Sequence, residues 1–166
     1  MVPAGLAFLY VKEDALGELE PDRVGWKNQI WEGVRDEDTP EDKESAEKLE
    51  YGTIHFQVVY ALERYLDYIN RIGMESIEKR VLELSGYLWS QAQKLGNKMY
   101  TPEGTKSPIV SFFEPNASEV ASKLMAEKVK VTGRGAHGGH IRASPHFYNT
   151  KAEIDRFIER YRDIVS

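Results

Sequence analysis

Apolar residues recur along this chain in distinct registers, and each register predicts a different element. Residues 6–11 (Leu-Ala-Phe-Leu-Tyr-Val) form a short, almost continuous apolar run, the pattern of a strand buried on both faces of a parallel sheet. From Ile54 the spacing becomes helical: Phe56, Val59, Leu62, Tyr65, Leu66 and Ile69 share one stripe, and Gly73 ends it as a left-handed cap. Tyr60, Tyr65 and Tyr68 follow the same spacing and read as packing residues. A second helix is predicted over 76–95, with Ile77, Val81, Leu84, Leu88 and Ala92 on one face and Gly96 closing it. Strands are predicted at 109–113, 129–131 and 141–144. Asn116, with Glu119 three residues on, is expected to cap a helix carrying Val120, Leu124 and Met125.

The last thirty residues are the most informative. Ile141, Ala143 and Pro145 alternate, which puts Arg142 on the face opposite its neighbours. Asn149-Thr150 stops that strand. Thr150 with Glu153 forms a T-x-x-E capping box, and Ile154, Phe157, Ile158, Tyr161 and Ile164 give the following helix a single apolar stripe. The planar fork of a lone arginine at a sheet end suits a carboxylate. From the strand pattern alone, a structural salt bridge is the first reading of Arg142 and a carboxylate anchor the second.

Strands interleaved with single helices after Gly73 predict an α/β layer, a small sheet covered by helices on one side. The chain therefore divides near Gly73. Residues 1–73 look like pieces of a larger sheet whose other strands are elsewhere, and 74–166 look like a small α/β domain. Residues 35–50, the most charged stretch, read as a solvated loop or a short surface helix starting at Thr39-Pro40. Trp26 and Trp31, in a turn-rich segment, are read first as loop or partner anchors and second as the lining of a substrate entrance.

Composition narrows the chemistry. A net charge of −5 gives no electrostatic reason to expect nucleic acid or an anionic membrane. No apolar run approaches the length needed to span a bilayer, and the first residues lack the basic region of a signal peptide, so a cytoplasmic protein is expected. With no cysteine, disulfides and thiolate–metal sites are excluded within these residues. His137 and His140 alone make a weak metal signal, and no metal site is expected. The glycines at 133, 135, 138 and 139 suit a sharp turn or a close ligand approach, with a phosphate cradle as the lesser reading.

The run from Arg142 to Asp155 (R-A-S-P-H-F-Y-N-T-K-A-E-I-D) resembles the C-terminal signature of the class V aminotransferases, a family of fold type I pyridoxal-phosphate enzymes. Tyr51-Gly52-Thr53, before the apolar helix, resembles that family's G-T motif. Residues 3–11 resemble its G-P-x-G-x-G-F-L-Y-V strand. The resemblance implies the C-terminal portion of a PLP-dependent transferase fold: a strand and long helix of the large domain over 1–73, then the small domain over 74–166. It implies that Arg142 binds the substrate α-carboxylate, with His140 a second candidate substrate contact, and that Gly52 and Thr53 reach a cofactor phosphate across a dimer interface. The lysine that forms the Schiff base lies upstream of Met1 in the family, so no catalytic residue is expected in this chain. None of its lysines sits in a matching motif, and it is expected to bind no pyridoxal phosphate alone.

The resemblance thus implies a part of an amino-acid-processing enzyme (aminotransferase, epimerase or lyase) that needs a lysine-containing N-terminal half and forms a homo- or hetero-oligomer. A cysteine desulfurase needs a thiolate on the loop before the R-x-S arginine, and residues 132–139 hold none. The pattern is closer to the isopenicillin N epimerase-like branch. The alternative is a non-catalytic amino-acid-binding or interaction module derived from the same fold. An unrelated α/β interaction protein, with Arg142 structural, is disfavoured by the order of the motifs.

Overall fold

The computed structural model describes residues 5–35, 38–135 and 138–166. It separates into two units, Met1–Tyr68 and Ile69–Ser166, and the division falls inside one helix. No helix among the described residues is long and apolar enough to cross a membrane.

The first unit is held mainly by polar groups. β1 (Gln29–Ile30) and β2 (Glu41–Asp42) form a short antiparallel ladder, flanked by 3-10 turns at Glu13–Glu18 and Ala46–Leu49. Asn28 is fully buried at its centre. Its Oδ1 accepts from the Gly25 N–H at 2.8 Å, and its Nδ2 donates to the carbonyls of Arg23 (2.9 Å) and Lys48 (3.1 Å). The indole N–H of Trp31 donates to the Trp26 carbonyl at 2.8 Å while both rings stay exposed, so these tryptophans anchor their own loop. Among the described residues of the segment 35–50, expected as a solvated loop or short surface helix, lie the two-residue β2 and one 3-10 turn.

Residues 6–11 differ from the expectation of a strand. They pair with nothing among the described residues, and Phe8, Leu9 and Tyr10 are 79%, 72% and 84% exposed. A strand exists only through its neighbours' backbone groups, and no described segment supplies them. The helix that follows forms as α1 (Phe56–Ile72), but of the expected stripe only Ile69 is buried, and Val58, outside that stripe, is buried too. Gly73 ends it at φ 87°, its N–H donating to the Ile69 carbonyl at 2.9 Å. Tyr60 and Tyr68, expected to pack, are exposed, as are Phe56 and Leu66.

The second unit is a three-stranded antiparallel sheet with helices against one face. Its elements are α2 (Met74–Lys94), β3 (Val110–Phe113), α3 (Ala117–Ala126), β4 (Thr132–Arg134), β5 (His140–Ala143) and α4 (Lys151–Val165), and the sheet order is β3-β5-β4. Val110, Phe112, Ile141 and Ala143 point from the sheet into a core shared with Leu84 and Leu88 of α2, Val120 and Leu124 of α3, and Ile154, Phe157 and Tyr161 of α4. Phe112 is completely buried and meets Tyr161 edge-on at 5.2 Å between ring centres. Full burial of one such side chain stabilises the fold by about 2 kcal/mol.

Two local expectations are corrected. The strand expected at 129–131 forms three residues later, at β4. Val129 and Val131 pack on the core, but the register that pairs β4 with β5 is Thr132↔Arg142, Gly133↔Ile141 and Arg134↔His140. Gly133 permits this: a Cβ there would run into the Ala117 carbonyl, so α3 begins directly against the strand backbone. Asn116 precedes α3 but makes no side-chain cap. The carboxylate of Glu114 takes that role, Oε1 accepting from the Asn116 N–H at 3.0 Å. The T-x-x-E box forms in full: Thr150 Oγ1 accepts from the Glu153 N–H at 3.2 Å and Glu153 Oε2 accepts from the Thr150 N–H at 2.7 Å.

Candidate functional site

The alternation of β5 decides where its polar residues go. Ile141 and Ala143 are buried in the core, so His140 and Arg142 share the other face of the sheet. In the antiparallel register Arg142 lies between Ser111 of β3 and Thr132 of β4, and His140 lies between Phe113 and Arg134. Directly paired residues point to the same side, so this helix-free face gathers Ser111, Phe113, Thr132, Arg134, His140 and Arg142. None of the three strands contains an Asp or Glu.

The residues after Arg142 have structural roles that can be named. Ala143 and Pro145 are buried. Asn149 closes a turn, its Oδ1 accepting from the His146 N–H at 2.8 Å and its own N–H donating to the His146 carbonyl at 2.9 Å. The Asn149 carbonyl accepts from Arg80 at 3.1 Å, and Thr150 starts α4. Arg142 has no such role. Its Nε is buried without a hydrogen-bond partner, and the guanidinium makes no ion pair among the described residues. A buried unpaired donor on a cation is costly, and an acceptor brought beside it would relieve that cost; Arg160 Nε and His146 Nδ1 are likewise buried and unpartnered.

Glu114, the carboxylate at the end of β3, is not available as that acceptor. It is buried, and its Oε2 accepts from the Tyr161 hydroxyl at 2.9 Å; that hydroxyl also lies 3.0 Å from Asn97 Oδ1. Burial, and then the bond to Glu114, push the Tyr161 phenol well above its ordinary value. This knot ties the end of β3 to α4. Gly139, at φ 89°, lies against Glu114 so closely that a Cβ would strike its carbonyl, and the Glu114 N–H donates to the Gly139 carbonyl at 3.2 Å. The start of β5 is positioned from there. The His140 ring lies edge-on to Tyr100 at 5.6 Å.

Gly52 and Thr53 lie in the irregular segment before α1, in the first unit. Gly52 is half-buried and Thr53 exposed. Among the described residues, neither the Thr53 hydroxyl nor the backbone N–H of either residue has a hydrogen-bond partner. Free N–H and O–H donors suit a phosphate, so this pair fits the cofactor contact expected of it in chemistry. Ser111, Thr132 and Arg134 were not singled out from sequence as site residues. The alternation of T-G-R against H-I-R was a signal for them, once the pairing is known. His137 lies outside the described residues, and no group of three or more metal-ligating side chains exists among those described.

The family profile described as aminotransferase class-V matches residues 1–157. The chain belongs to the class V aminotransferase family. A probable cysteine desulfurase of Synechocystis sp. is 33% identical over 95% of this chain and 40% of its own length. The structure of the cysteine desulfurase CsdA (S-sulfonic acid) from Escherichia coli superposes with a TM-score of 0.84 at 20% identity, covering 99% of this chain and 43% of that one. A variant of C-DES with glycine covalently linked to its PLP cofactor gives 0.81 at 24%, over 93% and 40%. The fold is therefore that of the PLP-dependent transferases, and the chain spans less than half the length of curated relatives it matches, 40% of the Synechocystis one. Within these residues the class V member has no cysteine.

Proposed function

We propose that this class V chain is the C-terminal part of a pyridoxal-phosphate-dependent enzyme acting on an amino acid, of the aminotransferase, epimerase or lyase type. The observation that carries the reading is Arg142: it stands in the R-x-S position, its Nε is buried and unpaired, and every polar neighbour in its register row is a donor-bearing side chain rather than a carboxylate. A guanidinium so placed holds a carboxylate through two parallel hydrogen bonds and fixes the orientation of the amino acid. His140, one step along the same face, is the second substrate contact. Gly52 and Thr53 supply donors for the cofactor phosphate, in the family's manner across a subunit interface.

Pyridoxal phosphate, when bound, supplies an electron sink for a bond to the amino acid's α-carbon. This chain's residues bind and orient the substrate. The lysine that carries the cofactor is assigned to the remainder of the fold, and none of the lysines here is given that role. That remainder is the proposed partner, and the exposed Phe8, Leu9 and Tyr10 support a surface for it. Persulfide formation on a thiolate from these residues is not part of the proposal, because none is present. The isopenicillin N epimerase-like branch and a cytoplasmic location complete the reading.

The test is R142K in the enzyme that contains this chain. A point charge cannot reproduce the bidentate fork, so KM for the amino acid is expected to rise about tenfold or more. An unchanged KM would refute the assignment.

A further inference from the structure

We infer that Arg134 and His140 form a second anion subsite beside Arg142, so that the amino acid held there carries a second carboxylate. This rests on the reading of Arg142 as the α-carboxylate anchor and names the substrate class of that site.

The β4–β5 register sets the geometry. Arg142 is opposite Thr132, and Arg134 is opposite His140, one step further along the same face. Arg134 is thus the diagonal neighbour of Arg142, at roughly 7–8 Å between backbones, within reach of two long side chains. The backbone of β4 is fixed at this point, because Gly133 is pressed under the first turn of α3. Arg134 is therefore carried by a paired strand. It makes no ion pair among the described residues, and its side chain is exposed on the face where Arg142 has its unpaired Nε.

Charge points the same way. Two guanidiniums and an imidazole share this face with two hydroxyl side chains and the Phe113 ring. The nearest carboxylate in the strand register, Glu114 after β3, is buried under Tyr161. Two adjacent cations without a carboxylate repel each other, and a ligand with two negative groups relieves that repulsion where a monocarboxylate does not. Ser111 directs its hydroxyl to the Ile141 carbonyl at 3.1 Å, which leaves the arginine forks, His140 and the Thr132 hydroxyl as the polar groups on this face, beside the Phe113 ring. With an α-carboxylate on Arg142, the diagonal position of Arg134 is open to a side-chain carboxylate, as in aspartate or glutamate.

The experiment is an NMR titration of the full chain with L-alanine, L-aspartate and L-glutamate, reading the arginine Nε–Hε resonances. At least one of the two acidic amino acids is expected to bind about tenfold more tightly than alanine, the effect of one added charge-assisted pair. R134Q is expected to bring it to the affinity of alanine, and H140Q, on the same register row, to reduce the difference. R142K is expected to weaken all three ligands. Equal binding of the three, or an advantage that survives R134Q, would overturn the second subsite and leave Arg142 standing. Failure of any amino acid to move the Arg142 resonance would overturn both.

Discussion

Replacing Tyr161 by Phe tests the knot that positions the start of β5. The substitution keeps the ring, which packs at 5.2 Å from Phe112 and 6.3 Å from Phe157, so no cavity opens. What is lost is the hydroxyl, which donates at 2.9 Å to the buried carboxylate of Glu114. Glu114 then keeps only the Asn116 N–H. A hydrogen bond to a buried charged group contributes about 2 kcal/mol, so Y161F should lower the unfolding free energy by that amount at neutral pH. Urea unfolding followed by far-ultraviolet circular dichroism measures it, with the slope unchanged because the exposed area is unchanged. The pH dependence gives a second readout. Tyr161 is held above its ordinary value by burial and by Glu114, so the folded protein keeps the phenol proton where the unfolded chain begins to lose it, at about pH 10. Its contribution is complete below that pH and is lost as the pH rises beyond it, and Y161F should lack this alkaline loss. A change below about 0.5 kcal/mol, with an unaltered alkaline limb, would refute the role given to the knot.

G133A should destabilise the second unit by about 3 kcal/mol, since the added methyl meets the Ala117 carbonyl and α3 must shift; a wild-type melting curve would contradict that packing. T150A removes one half of the capping box and should cost about 1 kcal/mol by the same urea assay. The Thr150 N–H, and then the Asn149 amide, hold the Glu153 carboxyl below its ordinary value, so the box stabilises above about pH 4.3 and weakens as the pH falls. With Phe8, Leu9, Tyr10, Trp26 and Trp31 exposed, the chain alone should self-associate in sedimentation velocity; a monomer at high concentration would argue against a partner surface.

Period and capping chemistry made α2 and α4 legible, because each buries one stripe and ends on local signals: Gly96 in the left-handed region, the Thr150–Glu153 box at the other. The alternation around Arg142 likewise showed its face. The strand before it was displaced because Val129 and Val131 carry the apolar signal while pairing falls on Thr132–Arg134, a register set by β5 and by α3 over Gly133. The Glu114–Tyr161 pair was invisible for the same reason: its partners are distant in sequence, and a lone glutamate after a strand resembles a helix-start acid. Arg134 sits between glycines that suit a turn, and only the pairing with His140 gives it a face. At 6–11 the apolar pattern predicts burial that no described segment provides, so sequence and structure differ there.

The guanidinium of Arg142 is the most direct point of test. In a nitrogen-15 NMR spectrum of the chain, its Nε–Hε resonance is identified by its loss in R142K. L-Alanine is expected to move this resonance saturably while the core resonances of Phe112 and Ile141 stay in place. A resonance that does not respond to alanine, or that already shows pairing with an internal carboxylate in the free chain, would contradict the assignment of Arg142 as the carboxylate anchor.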